Sequence, residues 1–321
     1  MTADTLTRAL LLLLLLRAAA AVPGFTVSGT RILDANGQEF MIRGVSHAHT
    51  WYKDDINGAI TSIAAAGANT VRIVLSNGGQ WTKDNLDSVQ NILSLCESHK
   101  LIAMLEVHDA TGNDSQETLE NAVNYWKELR DLLIGKEDRV IINIANEWFG
   151  TWDTAGWADG YKVVIPELRN AGLEHLLVVD TAGYGQYPQA IFEKGKEVFQ
   201  TDLLARTVFS IHMYEYAATD VTMIKGNIDS ALNTGIPVII GEFGDRKPES
   251  QHVDIDTIMS YTREKSVGWL AWSWYGNGND ESILDLTNGP SGDYSLTNVG
   301  SQIVDSENGI RKTSTICSIF N

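Results

Sequence analysis

Residues 140–148 read Val-Ile-Ile-Asn-Ile-Ala-Asn-Glu-Trp, a short apolar run that ends in polar residues. A run of this length and composition is typical of a β-strand that is buried on both faces, as the strands of parallel sheets are. Seven further apolar runs occur along the chain, at residues 42–45, 70–75, 101–107, 176–179, 208–211, 237–240 and 267–272. Stretches with helical spacing separate many of these runs, so the order of elements indicates the α/β class.

The helical stretches are long enough to form a layer around the predicted strands. They include residues 55–66, 84–98, 116–133, 157–171, 221–233 and 255–265. Dividing residues 41–305 among eight strands gives roughly 33 residues per strand and helix, the size of a βα unit in a closed barrel. A doubly wound open sheet is the alternative, but its first strand usually precedes a glycine-rich phosphate turn, and His47-Ala48-His49 stands there instead. We predict a single (β/α)8 TIM barrel, preceded by a short β-hairpin within residues 25–40.

The amino terminus has the composition of a secretory signal. Seven consecutive leucines, Leu10 to Leu16, follow Arg8 and precede the small residues Ala19-Ala20-Ala21. We predict a signal peptide over residues 1–21, a catalytic domain over residues 22–321, and a secreted, extracellular protein. The alternative is a buried helix or a membrane anchor, but this stretch falls short of the ~20 apolar residues that span a bilayer. We expect no membrane partner.

Overall composition narrows the class of ligand. The chain has 24 Lys and Arg against 41 Asp and Glu, a formal charge of −17, which is the wrong sign for binding a phosphate backbone. Nucleic acid is therefore not an expected partner. The 9 Trp, 10 Tyr and 8 Phe residues include several beside Gly, Asn and Asp, which indicates a surface that stacks on a flat ligand.

Polar residues follow most of the predicted strands, at the end where barrel enzymes carry their active site. They are His47, His49, Trp51, Arg72, Asn77, His108, Asp109, Asn146, Glu147, His212, Tyr214, Glu242, Trp272 and Trp274. Any one of them could be a hydrogen-bonded core group or a solvated charge, but burying so many is unfavourable unless they surround a ligand. Glu147 and Glu242 each end an apolar run, and two carboxyl groups across a cleft are what glycoside hydrolysis requires. The pattern predicts a carbohydrate-active enzyme.

The ordered motifs resemble those of glycoside hydrolase family 5, and within it the bacterial-type endo-β-1,4-mannanases. The motifs are residues 43–52 (Arg-Gly-Val-Ser-His-Ala-His-Thr-Trp-Tyr), 69–72 (Asn-Thr-Val-Arg), 106–112 (Glu-Val-His-Asp-Ala-Thr-Gly), 146–150 (Asn-Glu-Trp-Phe-Gly), 212–216 (His-Met-Tyr-Glu-Tyr), 241–244 (Gly-Glu-Phe-Gly) and 272–274 (Trp-Ser-Trp). The resemblance extends from about residue 25 to the carboxyl terminus. It implies hydrolysis of internal β-1,4-mannosidic bonds of mannan, glucomannan or galactomannan with retention of configuration.

The resemblance also implies a role for each site residue. Glu147 would be the acid/base and Glu242 the nucleophile, whose ionised form a nearby Arg72 favours. The supporting residues are Asn146 at the sugar 2-hydroxyl, Arg72 and Tyr214 orienting Glu242, His212 beside Glu147, His108 lining the subsite, Trp272 as the sugar platform, and His47 and Trp51 in the cleft. A polysaccharide would be the partner of a monomeric enzyme that needs no cofactor and no metal.

Three other functions compete with this hypothesis. A metal-dependent amidohydrolase is one, because the spacing of His47 and His49 suits two metal ligands, but the fifth strand ends in Asp180-Thr181 without a histidine. A non-catalytic sugar-binding barrel would have no need of both Glu147 and Glu242. An endo-β-1,4-glucanase of the same family would share every catalytic residue.

The chain contains two cysteines, Cys96 and Cys317. Both are expected at the amino-terminal face of the barrel, where a secreted chain would favour pairing them. We predict a disulfide between them that holds the carboxyl-terminal tail. The alternative is a buried helix cysteine and a solvated tail cysteine. The sequon at Asn113 is a glycosylation site only in a cell that has the machinery.

Overall fold

Eight parallel strands close into a barrel, as the sequence predicts. A computed structural model describes residues 24–290 and 293–321, and the predicted signal peptide lies outside the described residues. The eight strands pair in sequence order, and the last pairs with the first to complete the ring. Two short strands that precede the barrel form the predicted antiparallel hairpin. No helix in the described part of the chain is long and apolar enough to span a bilayer.

The strands and helices have the following bounds. The strands are β1 Thr26–Ser28, β2 Arg31–Leu33, β3 Arg43–His47, β4 Thr70–Leu75, β5 Ile102–Val107, β6 Val140–Asn143, β7 Leu176–Asp180, β8 Thr207–Met213, β9 Val238–Phe243 and β10 Gly268–Ala271. The α-helices are α1 Ile56–Ala65, α2 Leu86–Ser98, α3 Gln116–Leu133, α4 Thr154–Asn170, α5 Gln189–Thr201, α6 Val221–Asn233, α7 Ile255–Lys265, α8 Asn298–Asp305 and α9 Ile310–Thr313. Short 3₁₀ turns cover His49–Trp51, Lys53–Asp55, His108–Ala110, Asn279–Leu284 and Ser318–Phe320.

Apolar side chains separate into an outer and an inner core. The outer core lies between the strands and the helices, and it includes Val45, Ile73 and Trp126. The inner core fills the barrel lumen with side chains from alternate strand positions, such as Met104 and Val178. Because the inner core occupies the amino-terminal half of the lumen, polar side chains collect in the other half.

The hairpin and the carboxyl-terminal tail close the amino-terminal end of the barrel. Phe25, Ile32 and Phe40 from the hairpin region join the inner core, and Cys317 from the tail packs with them. The Asp34 carboxylate accepts hydrogen bonds from the backbone N–H and the hydroxyl of Ser318, at 3.2 and 2.5 Å. The tail is therefore attached to the hairpin by polar as well as apolar contacts.

The predicted disulfide is wrong, because both cysteines are free thiols. Cys96 faces inward from α2 and belongs to the outer core, whereas Cys317 belongs to the inner core. The strand wall stands between the two cores and separates the thiols. Burial raises the pKa of each thiol to about 12, so both remain protonated.

Candidate active site

A buried arginine occupies the carboxyl-terminal half of the lumen. Arg72 on β4 is fully buried, and its side chain points inward. Its Nε donates to Oδ1 of Asn143 at 3.0 Å, its Nη1 to Oε1 of Glu242 at 2.7 Å, and its Nη2 to Oδ1 of Asn146 at 2.6 Å. Burial alone would lower the pKa of the guanidinium, but the carboxylates of Glu106 and Glu242 raise it. Arg72 is therefore a permanent positive charge at the centre of the site.

An irregularity in β9 turns Glu242 toward this arginine. Strict alternation from Ile239, which belongs to the inner core, would turn position 242 outward. His212 on β8 pairs with Glu242 across a register shift that leaves Gly241 as an extra residue in β9. The bulge restores the inward direction for Glu242. A Cβ at position 241 would lie 2.1 Å from Oγ of Ser210, so the bulge requires glycine there.

Both oxygens of the Glu242 carboxylate have a donor. Arg72 bonds Oε1, and the hydroxyl of Tyr214 donates to Oε2 at 2.9 Å. Burial and the Glu242 charge raise the pKa of Tyr214 well above its usual value, so the phenol stays protonated. The carboxylate is thus fixed in one orientation.

Glu147 faces Glu242 from the loop after β6. Its φ of 45° lies in the left-handed region, and its carbonyl oxygen accepts a hydrogen bond from the N–H of Gly112 at 3.0 Å. Nδ1 of His212 lies 2.7 Å from Oε1 of Glu147. One carboxylate oxygen of Glu147, one of Glu242 and a ring nitrogen of His212 lie within 4.8 Å of one another. The structure therefore brings the two predicted carboxyl groups together.

Two histidines carry raised pKa values in this half of the lumen. Burial would lower the pKa of His212, but the carboxylates of Glu242 and Asp180 raise it well above its usual value. Likewise, Glu106 overcomes burial at His108 and raises its pKa, because Oε1 of Glu106 lies 2.9 Å from Nδ1 of His108. Asp180 and Glu106 are buried carboxyl groups that were not predicted as site residues. The sequence feature that could have identified them is an acidic residue within an otherwise apolar strand.

Aromatic rings form one wall of the cleft. Trp272 stacks on His108 with ring centroids 5.7 Å apart and an angle of 19°. The ring of Trp51, which is 41% exposed, meets the rings of Trp81 and His108 edge-on at 5.1 and 5.3 Å. Trp81 belongs to the loop after β4 and was not predicted. These rings offer flat apolar surfaces beside the polar centre.

A second aromatic group borders Glu147. It surrounds a cavity of about 470 Å³ lined by Glu147, Trp152, Gly183, Tyr184, Gln186, Tyr214, Tyr216 and Arg246. The exposed rings of Trp152 and Tyr216 meet edge-on at 5.9 Å. Of this group, only Glu147 and Tyr214 were predicted. Placement of Trp152 in a loop just past a strand end was the available signal.

His47 and His49 lie outside the cleft, which corrects their predicted role. His47 pairs in register with Ile73, whose side chain belongs to the outer core, so His47 faces the helices rather than the lumen. Nε2 of His49 approaches Oδ1 of Asp84 at 3.3 Å. Burial and the neighbouring His49 lower the pKa of His47 to about 3. The pair therefore does not supply the metal ligands of an amidohydrolase.

Glu147, His212 and Glu242 are spaced closely enough to be considered as metal ligands. However, Arg72 and Tyr214 already bond both oxygens of Glu242. The guanidinium also places a full positive charge beside them, which opposes a second cation. The donor set therefore suits proton transfer and nucleophilic attack better than metal binding.

The sequence profile described as Cellulase (glycosyl hydrolase family 5) matches residues 33–278. The chain belongs to glycosyl hydrolase family 5. It is 52% identical over 297 residues to the mannan endo-1,4-beta-mannosidase of Salipaludibacillus agaradhaerens, an alignment that covers 92% of this chain and 96% of that one. The family resemblance and the barrel predicted from the sequence are confirmed, and the chain is a glycoside hydrolase.

Solved structures of the family support the same assignment. The β-mannanase of Thermomonospora fusca is 42% identical, with a TM-score of 0.87 over 93% of this chain and 99% of that one. The β-mannanase of Streptomyces thermolilacinus, solved with mannohexaose, is 37% identical, with a TM-score of 0.87 over 94% of this chain and 99% of that one. The family 5 barrel described above therefore has the same architecture as two β-mannanases.

Proposed function

We propose that this family 5 enzyme is an endo-β-1,4-mannanase that cleaves internal bonds of mannan, glucomannan or galactomannan with retention of configuration. The short distance between the Glu147 and Glu242 carboxyl groups is the main evidence for the mechanistic part of the proposal. One oxygen of Glu147 lies within 4.8 Å of one oxygen of Glu242, which suits the ~5 to 5.5 Å separation of a retaining pair and is too short for an inverting pair with a water between. Identity of 52% to a mannan endo-1,4-beta-mannosidase supports the substrate.

In the first step Glu242 attacks the anomeric carbon of the sugar. An oxygen of its carboxylate forms a bond to that carbon while the bond to the glycosidic oxygen breaks. Glu147 gives its proton to the departing oxygen, so that the leaving chain departs as an alcohol. The result is a glycosyl ester on Glu242 and a carboxylate on Glu147.

In the second step Glu147 acts as the base. It takes a proton from a water molecule, whose oxygen attacks the anomeric carbon and breaks the ester bond to Glu242. The sugar leaves with its original configuration, because it has been inverted twice. Both carboxyl groups return to their starting protonation states.

The assignment of the two roles follows from their different partners. Glu242 bonds the guanidinium of Arg72 at 2.7 Å and the hydroxyl of Tyr214 at 2.9 Å, which hold its carboxylate in the fixed orientation that a nucleophile needs. Glu147 has His212 as its side-chain partner, and its side chain is 14% exposed against 6% for Glu242. This position on the side of the 470 Å³ cavity suits proton exchange with a leaving group and with water.

A comparison of substrates tests the proposal. Purified enzyme should release reducing ends rapidly from mannan and glucomannan and slowly from carboxymethylcellulose. The Glu242→Ala variant should be folded and inactive on all three, which controls for contaminating hydrolases. Faster cleavage of carboxymethylcellulose than of mannan would favour the endoglucanase alternative and contradict the proposed substrate.

We also propose that residues 1–21 direct the chain to the outside of the cell, on the strength of the leucine run and the small residues after it. The protein recovered from the culture medium should then begin at Val22 by amino-terminal sequencing. Retention of the full chain inside the cell would contradict secretion, without bearing on the hydrolytic mechanism.

A further inference from the structure

Asp180 is a fully buried carboxylate at the end of β7 that does not line the 470 Å³ cavity beside Glu147. Its Oδ2 accepts a hydrogen bond from the backbone N–H of Glu147 at 3.0 Å. Its Oδ1 lies 3.5 Å from Nε2 of His212 and accepts a hydrogen bond from Asn143 at 3.3 Å. The carboxylate thus touches the backbone of Glu147 and the histidine that bonds the side chain of Glu147.

The backbone contact fixes an unfavourable conformation. Glu147 has a φ of 45°, a region that residues other than glycine adopt infrequently and that needs support from surrounding groups. A hydrogen bond from its N–H to a charged oxygen is stronger than one to a neutral acceptor. Asp180 therefore helps to hold the Glu147 backbone where its carboxyl group can face Glu242.

The side-chain contact acts through His212. Nδ1 of this histidine lies 2.7 Å from Oε1 of Glu147, and its other nitrogen faces Asp180. A carboxylate beside Nε2 favours a proton on that nitrogen, and with it the doubly protonated ring. Such a ring donates through Nδ1 to Glu147. Glu147 is therefore oriented both through its backbone and through its carboxyl group.

Other charges surround this chain of contacts and belong to any account of its titration. The charged groups are Arg72 on β4 at 3.8 Å from Asp180, Glu242 on β9 at 3.6 Å from His212, and Glu106 on β5 beside Arg72. Two neutral phenols, Tyr214 after β8 and Tyr161 on α4, also adjoin Glu242 and Asp180 respectively. Although burial opposes it, the charge of His212 holds the pKa of Asp180 at about 2. Asp180 is therefore ionised throughout the working range, and changes in pH act on its neighbours.

We propose that Asp180 is a positioning residue for the acid/base Glu147, acting through the Glu147 N–H and through His212. The proposal rests on the proposed function in that it takes Glu147 as the proton donor. It does not depend on mannan being the substrate. Its consequences should appear only in steps that need proton transfer by Glu147.

The Asp180→Asn variant tests this directly, because asparagine has nearly the same shape but no charge. Two substrates are compared: a β-1,4-manno-oligosaccharide, whose leaving alcohol needs a proton, and a dinitrophenyl β-mannobioside, whose leaving group does not. The rate of glycosyl-enzyme formation, measured as kcat/KM, should fall roughly 10- to 100-fold more for the oligosaccharide. The alkaline limb of the oligosaccharide pH profile should also move, because the variant changes both the charge of Asp180 and the protonation of His212 that depends on it.

Asp202→Asn is the matched control. Asp202 is also buried but lies at the amino-terminal end of the barrel, where it bonds Arg169 and the N–H of Arg206. This variant should lose stability while keeping the wild-type pH profile and the wild-type ratio between the two substrates. Equal losses on both substrates in Asp180→Asn, with an unchanged pH profile, would mean a purely structural role and overturn the proposal.

A second measurement needs no variant and covers the case in which Asp180→Asn does not fold. Nitrogen-15 NMR of the wild-type enzyme should show His212 as a doubly protonated ring at pH 7. A neutral His212 ring at that pH would contradict the proposed action through His212. If the wild-type enzyme fails on mannan, the kinetic test is run on the β-1,4-glycan that it does cleave, so the two proposals fail separately.

Discussion

At the scale of single residues, strand phase separates the residues of the site from those of the core. On β3, Ser46 pairs with Arg72 and shares the lumen face, whereas the next residue, His47, pairs with Ile73 and faces the helices. The polar identity of His47 suggested a cleft residue, but alternation with Val45 of the outer core places it outside. The alternation of inward and outward positions along β3 could have been read from the sequence. It predicts the direction of the His47 side chain better than the polarity of that side chain does.

His47 makes the stability of the enzyme depend on pH. Its pKa is about 3 in the folded protein and about 6.5 when exposed, so the unfolded chain binds more protons at this position between those values. Stability from this group is complete above pH 6.5 and is lost as the pH falls toward 3. His175, with a pKa of about 4 caused mainly by burial, contributes with the same sign.

We predict that His47→Phe weakens this dependence. Since the change removes one group that gains a proton on unfolding, the slope of unfolding free energy against pH should fall by up to about 1.4 kcal/mol per pH unit between pH 4 and 6. Urea titrations at pH 4.5 and pH 6 measure the unfolding free energy of the wild-type enzyme and of the variant at each pH. His175 is present in both proteins, so its contribution cancels in the comparison. A variant with the wild-type slope would show that His47 is not held neutral in the folded state.

At the scale of secondary structure, the bulge in β9 decides where the nucleophile points. The sequence Val-Ile-Ile-Gly-Glu-Phe-Gly predicts a buried strand with a carboxylate near its end, and both are present. The extra residue at Gly241 was not predictable, because it depends on the register of β8 against β9. Only the pairing reveals why glycine precedes the glutamate.

We predict that Gly241→Ala reduces kcat strongly. The added methyl would lie 2.1 Å from Oγ of Ser210, so β8 or β9 must shift and carry Glu242 away from Arg72. Misplacement by ~1 Å costs on the order of 100-fold in rate. Adding Ser210→Ala should restore part of the activity, since it removes the closest atom.

The control for this experiment is Gly226→Ala on α6. No atom lies within 4 Å of the added Cβ, and alanine favours a helix by up to about 1 kcal/mol over glycine. That variant should be fully active and slightly more stable. Wild-type kcat in Gly241→Ala would contradict the requirement for glycine in the bulge.

Helix α5 is an element that the sequence pattern alone did not predict. The stretch Gln189–Thr201 between β7 and β8 was not predicted as a helix, although the barrel order required one there. A glycine in its middle, Gly195, weakens helix propensity. In the structure, a Cβ at Gly195 would lie 2.8 Å from Cδ1 of Ile236, so the glycine lets the helix pack closely. Tertiary packing outweighs local propensity in this segment.

At the scale of the whole molecule, one end of the barrel forms the active site and the other end is closed by packing. The carboxyl-terminal end holds the charged centre, and the amino-terminal end is closed by the hairpin and the tail. The barrel and its active end were predictable from eight strands and the residues that follow them. Closure of the other end was not, since the tail was expected to be held by a disulfide rather than by packing.

We predict that removing residues 314–321 destabilises the enzyme without changing its chemistry. Deletion exposes the inner core where Cys317, Ile319 and Phe320 pack, and it removes the Asp34 to Ser318 contacts. Loss of that apolar burial should lower the free energy of unfolding by about 3 kcal/mol. Activity per folded molecule should stay at the wild-type value below the unfolding transition, and a fall in kcat there would contradict the separation of the two ends.

The stereochemistry of the product tests the central claim most directly. Proton NMR can follow the anomeric signals of a manno-oligosaccharide during its first minutes of cleavage, before mutarotation mixes the anomers. A double displacement at Glu242, with Glu147 as acid and then base, predicts that the β-anomer appears first. The α-anomer appearing first would mean a single displacement by water, and it would contradict the roles given to both glutamates.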